Sequence, residues 1–143
     1  MSLSKQYLSG HAKPLRFDVG AFAEALKSAC PEVSFALLLG SSRDGQVAVG
    51  SDLDLALYAE ERPSLELHAR VAGVAAGFAP GAHCDIGLLT RAEPVYRYES
   101  LKGRLLFARD PETYLHFFSL TCREYESQLA DYERQFRYRT EAA

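Results

Sequence analysis

The stretch LLLGSSRDGQVAVGSDLDLAL, residues 37–57, constrains the fold of this chain more than any other. An apolar run stops at Gly40-Ser41, a polar loop follows, and the next apolar run holds Asp52 and Asp54. Because side chains alternate across a strand, the two aspartates point to one face and their leucine neighbours to the other. Like charges this close to a core are unfavourable unless they are exposed at the edge of a sheet or bind a cation. The stretch therefore predicts two strands joined by a turn, with either a solvated acidic edge or a cation site.

The remaining sequence alternates between helical and strand patterns, which predicts a fold of the α+β class (α/β). Asp18 is suited to cap a helix, with Phe17 and Phe22 as a hydrophobic staple, and Ser64 begins another helix. The expected helices are 18–28, 64 to just before Pro80, Pro94 to a cap at Gly103, and a long one from Pro111; the expected strands are 34–39, 51–59, 83–89 and 104–108.

The length of 143 residues is enough for one domain with a substantial core. We expect a flexible N-terminal arm over residues 1–16 and the folded domain over 17–110. Residues 111–143 are expected to form a C-terminal helix that packs on the domain and docks a partner.

The composition limits the classes of partner. The formal net charge is −3, which gives no global reason to expect direct binding to nucleic acid or to an anionic membrane. No apolar run approaches the ~20 residues that a membrane-spanning helix needs. The cysteines, Cys30, Cys84 and Cys122, show no Cys-x-x-Cys spacing, which favours reduced thiols in a cytoplasmic protein.

The acidic pair and the Gly-Ser turn together suggest nucleotide chemistry. The candidate ligands are hard oxygens, which favour Mg²⁺ over zinc. At Gly40-Ser41, a glycine would let a phosphate approach the backbone, and free N–H groups with a hydroxyl would bind it. A phosphate site beside a hard-metal site is the arrangement that handles nucleoside triphosphates. The turn is not a Walker loop, because no Gly-Lys-Ser/Thr follows it.

A third carboxylate, Asp85, lies on the predicted strand 83–89, on the opposite face from Cys84 and Ile86. If that strand neighbours the strand of Asp52 and Asp54, three carboxylates converge. Two metal ions ~3.5–4 Å apart then become possible. The alternatives are that the aspartates are only solvated surface residues and that Ser41 is only a helix cap.

These motifs resemble the nucleotidyltransferase superfamily related to DNA polymerase β. The resemblance is carried by Gly40-Ser41, ten intervening residues, Asp52-Leu53-Asp54 and a later strand with Asp85, and it covers residues 35–107. The short chain is similar to the minimal nucleotidyltransferases, which are typically antitoxin partners of HEPN-domain toxins. The resemblance implies a mixed sheet flanked by helices in the nucleotidyltransferase fold, ATP as donor, and transfer of AMP onto a hydroxyl.

The resemblance also implies a role for each matching residue. The triphosphate would be held by Gly40 and Ser41. Arg43 is not a matching residue, but it is a further candidate nucleotide contact, one position before the arginine that is usual in the minimal members. The metal-binding carboxylates would be Asp52, Asp54 and Asp85, and Asp85 would also help to deprotonate the acceptor hydroxyl. In antitoxins of the HEPN/MNT type that acceptor is a tyrosine of the cognate toxin.

The turn departs from the pattern of the minimal members, Gly-Ser-x-Ala-Arg-Gly. In GSSRDG, Arg43 and Asp44 stand where alanine and arginine are usual. Two hypotheses therefore remain: an adenylyltransferase antitoxin, and a catalytically weak antitoxin that neutralises its partner by binding. A nucleotidyltransferase acting on small molecules would need a further substrate domain.

The last predicted helix carries an apolar seam with alternating spacings of three and four residues, which is a heptad pattern. A helix of about 25 residues spans nearly 40 Å, more than this domain can easily cover. We expect its distal part to pack on another chain, either the toxin or a second copy of this protein. The residues predicted at that contact are Tyr125, Tyr132, Phe136 and Tyr138.

Overall fold

The structure is a computed structural model that describes residues 13–60 and 64–141. No helix in these two ranges is long and apolar enough to cross a membrane. The elements follow the order β1 (Leu15–Arg16), α1 (Val19–Ala29), β2 (Val33–Leu39), a short 3₁₀ helix (Gly40–Asp44), β3 (Gln46–Val47), β4 (Leu53–Ala59), α2 (Leu65–Phe78), β5 (Cys84–Leu88), α3 (Pro94–Ser100), β6 (Arg104–Ala108) and α4 (Pro111–Glu141).

The predicted helix starts are confirmed by their capping contacts. The Asp18 side chain accepts a hydrogen bond from the backbone N–H of Ala21, and Ser64 accepts one from Leu67 in the same way. The rings of Phe17 and Phe22 meet edge to face with centroids 5.6 Å apart, as the predicted staple requires. Local sequence signals therefore determine where these two helices begin.

The main sheet has four strands in the order β5-β4-β2-β6. Strand β2 is antiparallel to both β4 and β6, whereas β4 and β5 are parallel, so the sheet is mixed as predicted. A separate two-stranded pair joins β1 to β3. The predicted arm included residues 15–16, but these form β1; residues 1–12 of that arm lie outside the described residues.

The sheet separates two cores. On one face, α1 and α2 bury alternate side chains of β4, namely Leu53, Leu55 and Leu57. On the other face, Ala56 of β4 packs in a cluster that includes Phe117 of α4. Since side chains two apart share a face, Asp54 lies on the face that α3 and α4 cover, at the end of its strand.

Gly40 begins the turn after β2 and lies close to Asp54. Its φ is +65°, a backbone conformation that favours glycine, and a Cβ there would lie 3.1 Å from Asp54 Oδ2. Gly50 also has a positive φ, 82°, but a Cβ there would meet nothing within 4 Å. The two glycines therefore share a backbone requirement and differ in their surroundings.

The helix α4 has two different halves. Phe117 and Thr121 are buried against the domain, but every residue over 126–141 is exposed. At 1.5 Å per residue this distal half extends about 24 Å. Tyr125 was predicted to contact another chain, but it stacks on Tyr98 of α3 within this chain, with ring centroids 3.8 Å apart.

Deleting the residues after Gln128 is expected to change the free energy of unfolding by less than about 1 kcal/mol, because the lost side chains are exposed. In the full chain, Phe117→Ala should instead cost about 3–5 kcal/mol, because Phe117 is buried. Urea unfolding followed by circular dichroism measures both. A large destabilisation by the deletion would contradict the independence of the distal half.

Gly40→Ala is expected to destabilise the fold more than Gly50→Ala. Both substitutions force a left-handed backbone on alanine, at about 1–2 kcal/mol. Only Gly40→Ala also crowds the Asp54 carboxylate, which should add about 1 kcal/mol or more. Equal losses in urea unfolding would show that the contact with Asp54 does not matter.

Candidate active site

The 3₁₀ helix after β2 presents its two serines differently. Ser42 is buried, and its hydroxyl donates to the Leu39 carbonyl at 2.8 Å. Ser41 and Gly40 are exposed. The turn is therefore anchored by Ser42, while the Gly40-Ser41 pair singled out in the sequence faces solvent, where an anion can reach it.

Arg43 braces this turn. Its Nε donates to the Gly40 carbonyl at 3.0 Å, and its Nη1 donates to the Lys102 carbonyl at 2.9 Å. Arg104 in turn donates from Nη1 to the Arg43 carbonyl at 3.2 Å. Sequence reasoning assigned Arg43 only to the nucleotide. In the fold, its guanidinium also ties the turn to the segment between α3 and β6.

The three aspartates come together at the end of the sheet where β4 and β5 begin. Asp54 is the register partner of Asp85 on the adjacent parallel strand, and Asp52 is exposed just before β4. Burial raises the pKa of Asp54, and the negative charges of Asp85 and then Asp52 raise it further. The predicted proximity of β4 and β5 is thus present, and the same strand end carries the Gly40 turn.

The donor chemistry of this cluster fits a hard divalent cation. None of the three aspartates forms an ion pair within residues 13–60 and 64–141. As the side chains stand, no three histidine, cysteine or acidic residues in those ranges are grouped into a formed metal site. Unpaired carboxylates that repel one another are nevertheless the ligand set that Mg²⁺ prefers.

Tyr96 and Gly87 were not found by sequence reasoning. Gly87 lies two residues after Asp85 on the same face of β5, and a Cβ on it would come within 1.8 Å of the Tyr96 hydroxyl oxygen. Burial raises the pKa of the Tyr96 hydroxyl, and the charges of Asp85 and Asp54 raise it further. The available signal was a glycine inside a predicted strand, which often marks a close approach of another group.

A surface cavity of about 860 Å³ opens beside Asp52. Lys13 and Arg16 contribute positive charge to its lining, and Ser51 and His83 contribute polar groups. Its size is in the range of small-ligand sites. Asp52 therefore belongs both to the carboxylate cluster and to the wall of a cavity that can hold part of a substrate.

Several solved structures that match this chain are toxin–antitoxin structures. A mutant complex written MntA–HpeT has a chain with 20% identity and a TM-score of 0.67; the match covers 88% of this chain and 99% of that one. A toxin–antitoxin with AMP-PNP gives 22% identity, a TM-score of 0.66, and coverage of 88% and 99%. A structure of a tri-AMPylated Shewanella oneidensis HEPN toxin in complex with MNT antitoxin matches with 20% identity and a TM-score of 0.61. This match covers 87% of this chain and 96% of that one.

At these identities the likeness establishes the fold alone. No protein of curated function matches the chain closely enough for comparison. A family model, Polymerase beta, Nucleotidyltransferase, matches residues 22–112, which is more than half of the chain and includes the turn and all three aspartates. The chain therefore belongs to the polymerase beta nucleotidyltransferase family.

Proposed function

We propose that the protein is a Mg²⁺-dependent adenylyltransferase and an antitoxin, which moves AMP from ATP onto a tyrosine hydroxyl of a HEPN-domain toxin in the cytoplasm. The observation that carries this proposal is the convergence of Asp52, Asp54 and Asp85 beside the Gly40 turn. Family membership supports nucleotidyl transfer as the reaction.

The triphosphate binds at the turn. Gly40 has no side chain to block the approach of a phosphate, and Ser41 is exposed beside it. Arg43 uses Nε and Nη1 to hold backbone carbonyls, and because the residue is exposed its guanidinium is suited to contact a phosphate oxygen as well. Arg43 therefore stabilises the conformation of the turn and also provides it with a positive charge.

Mg²⁺ would be held by Asp52, Asp54 and Asp85. When bound, it neutralises phosphate charge and polarises the reacting oxygens. In the absence of the ion, the ionised Asp54 is unfavourable: burial raises its pKa, and the negative charges of Asp85 and then Asp52 raise it further. The three aspartates are thus arranged to bind a cation, and this arrangement lowers the stability of the folded protein when no cation is bound.

The transfer step balances with ATP and a hydroxyl alone. The acceptor oxygen attacks the α-phosphorus, a new O–P bond forms, and the bond from that phosphorus to the bridging oxygen breaks. Pyrophosphate leaves with its electron pair. The exposed Asp85 carboxylate accepts the proton of the hydroxyl.

The choice of acceptor is supported by the related structures. One holds a tri-AMPylated HEPN toxin with its MNT antitoxin, and another holds AMP-PNP. In this chain, the exposed side chains of Leu129, Tyr132, Phe136 and Tyr138 on the distal half of α4 supply a surface for the toxin or for a second copy of the antitoxin.

A purely binding antitoxin is the second candidate. It is favoured by Asp44, an exposed negative charge within the turn that receives the triphosphate. Such a protein would neutralise the toxin by docking without modifying it. The same assay separates the two candidates.

With Mg²⁺ and a HEPN toxin, the wild-type protein is expected to transfer label from α-labelled ATP to the toxin but none from γ-labelled ATP. Asp52→Ala/Asp54→Ala should abolish transfer, and Asp85→Asn should slow it about 10²–10⁴-fold because the proton acceptor is lost. Glu24→Gln, an exposed charge change on α1, is the control and should leave the rate unchanged.

Copurification of each variant with the toxin accompanies the rate measurement. The double variant should still bind the toxin, because docking does not require the carboxylates. Tight binding by the wild type with no label transferred would support the binding antitoxin and reject the enzyme.

Asp54→Asn is expected to raise the melting temperature at neutral pH without Mg²⁺. Since the pKa of Asp54 is raised on folding, the ionised form disfavours the folded state, and stability is lost as pH rises through that pKa. The gain from the substitution should therefore vanish in acid, where the carboxyl is protonated in both states.

The wild type should also gain stability from added Mg²⁺, whereas Asp54→Asn should gain much less. Asp44→Asn removes an exposed charge outside the cluster and should respond to the ion like the wild type. Thermal melts with Mg²⁺ and with EDTA measure the difference. An equal Mg²⁺ response in all three proteins would exclude Asp54 as a ligand.

A further inference from the structure

We propose that Tyr96 is the residue that binds the acceptor: its ring forms the wall on the α3 side of the carboxylates, packs against the incoming tyrosine and orients its hydroxyl toward Asp85. This inference rests on the proposed transfer of AMP to a tyrosine. It assigns the acceptor side of the site to α3, which carries Tyr96.

The first support is the position of the Tyr96 ring, which packs against Gly87 of β5. Gly87 has no side chain, and the Tyr96 hydroxyl occupies the space that a Cβ would fill, 1.8 Å from that position. Asp85 is two residues away on the same face of β5, so roughly 6–7 Å separates the two positions along the strand. A group that contacts Asp85 from this side therefore meets Tyr96.

The second support is that α3 is clamped to the sheet. Arg97 donates from Nε to the Leu89 carbonyl at 2.9 Å and from Nη2 to the Thr90 carbonyl at 2.7 Å. The buried Ser100 donates its hydroxyl to the Tyr96 carbonyl at 2.7 Å. The Tyr96 ring is thus carried by a backbone held at the end of β5, which suits a wall that must keep its position.

The third support is that Tyr96 is only partly buried. Tyr96 remains 37% exposed, although its hydroxyl end lies against the sheet. The exposed part can pack edge to face or offset on another aromatic ring, an arrangement that aromatic pairs favour. A serine or threonine acceptor would gain nothing from this wall, so Tyr96 selects a tyrosine.

The test compares KM for the toxin with KM for ATP in the full-length protein. Tyr96→Ala should raise KM for the toxin roughly ten-fold through loss of the aromatic contact and leave KM for ATP unchanged. Tyr96→Phe keeps the ring and should restore most of the affinity. Tyr98→Ala removes a ring of the same helix that stacks on α4 instead, and should leave the ratio of the two KM values as in the wild type.

Gly87→Ala provides an independent arm. The new Cβ would displace the Tyr96 ring, so KM for the toxin should rise as it does in Tyr96→Ala. In the Tyr96→Ala background, Gly87→Ala should have no further effect, because there is no ring left to displace. If the effects of the two substitutions on KM for the toxin were additive, Gly87→Ala would act through the strand and not through Tyr96. That result would overturn the inference.

The remaining outcomes are also decisive. If the wild type transfers no AMP, both the function and this inference fail. If transfer is normal in Tyr96→Ala, the function stands and the assignment of Tyr96 fails. Equal increases in both KM values in Tyr96→Ala would assign Tyr96 a structural role only. If mass spectrometry found AMP attached to Tyr96 itself, Tyr96 would be a modified residue and not the residue that binds the acceptor.

Discussion

The pairing of β4 is the constraint on which the rest of the site depends. Its antiparallel register with β2 sets Leu39 opposite Asp54, and its parallel register with β5 sets Asp85 beside Asp54. A slip of one residue would turn the buried leucines of β4 to the other face, so burial of the core enforces the register. The hydrophobic effect thereby holds the aspartates together although their charges repel.

The site consequently contains unfavourable electrostatic interactions and leaves little space around the Asp54 carboxylate. Asp54 has a raised pKa because it is partly buried next to like charges, and Gly40 has no side chain where one would crowd that carboxylate. Such features lower the stability of the isolated fold, and the two large apolar clusters offset them. Functional sites are commonly where a protein accepts this kind of cost.

The unusual GSSRDG turn has a structural explanation in part. Arg43 holds the Gly40 and Lys102 carbonyls, so an arginine at this position joins the phosphate-binding turn to the connection before β6. The buried Ser42 anchors the turn by donating a hydrogen bond from its hydroxyl to the Leu39 carbonyl. Nothing in the structure explains why Asp44 follows Arg43.

The sequence by itself determined the N-terminal caps of α1 and α2, the four strands of the main sheet, the Gly40-Ser41 turn and the candidate carboxylates, because these depend on neighbours in the chain and on the alternation of side chains along a strand. The tertiary structure alone decided the strand order β5-β4-β2-β6, the β1–β3 pair, the stacking of Tyr125 on Tyr98, and the seat of Tyr96 over Gly87. Those contacts join residues far apart in sequence. Their partners are selected by how helices and sheet pack, which no local pattern records.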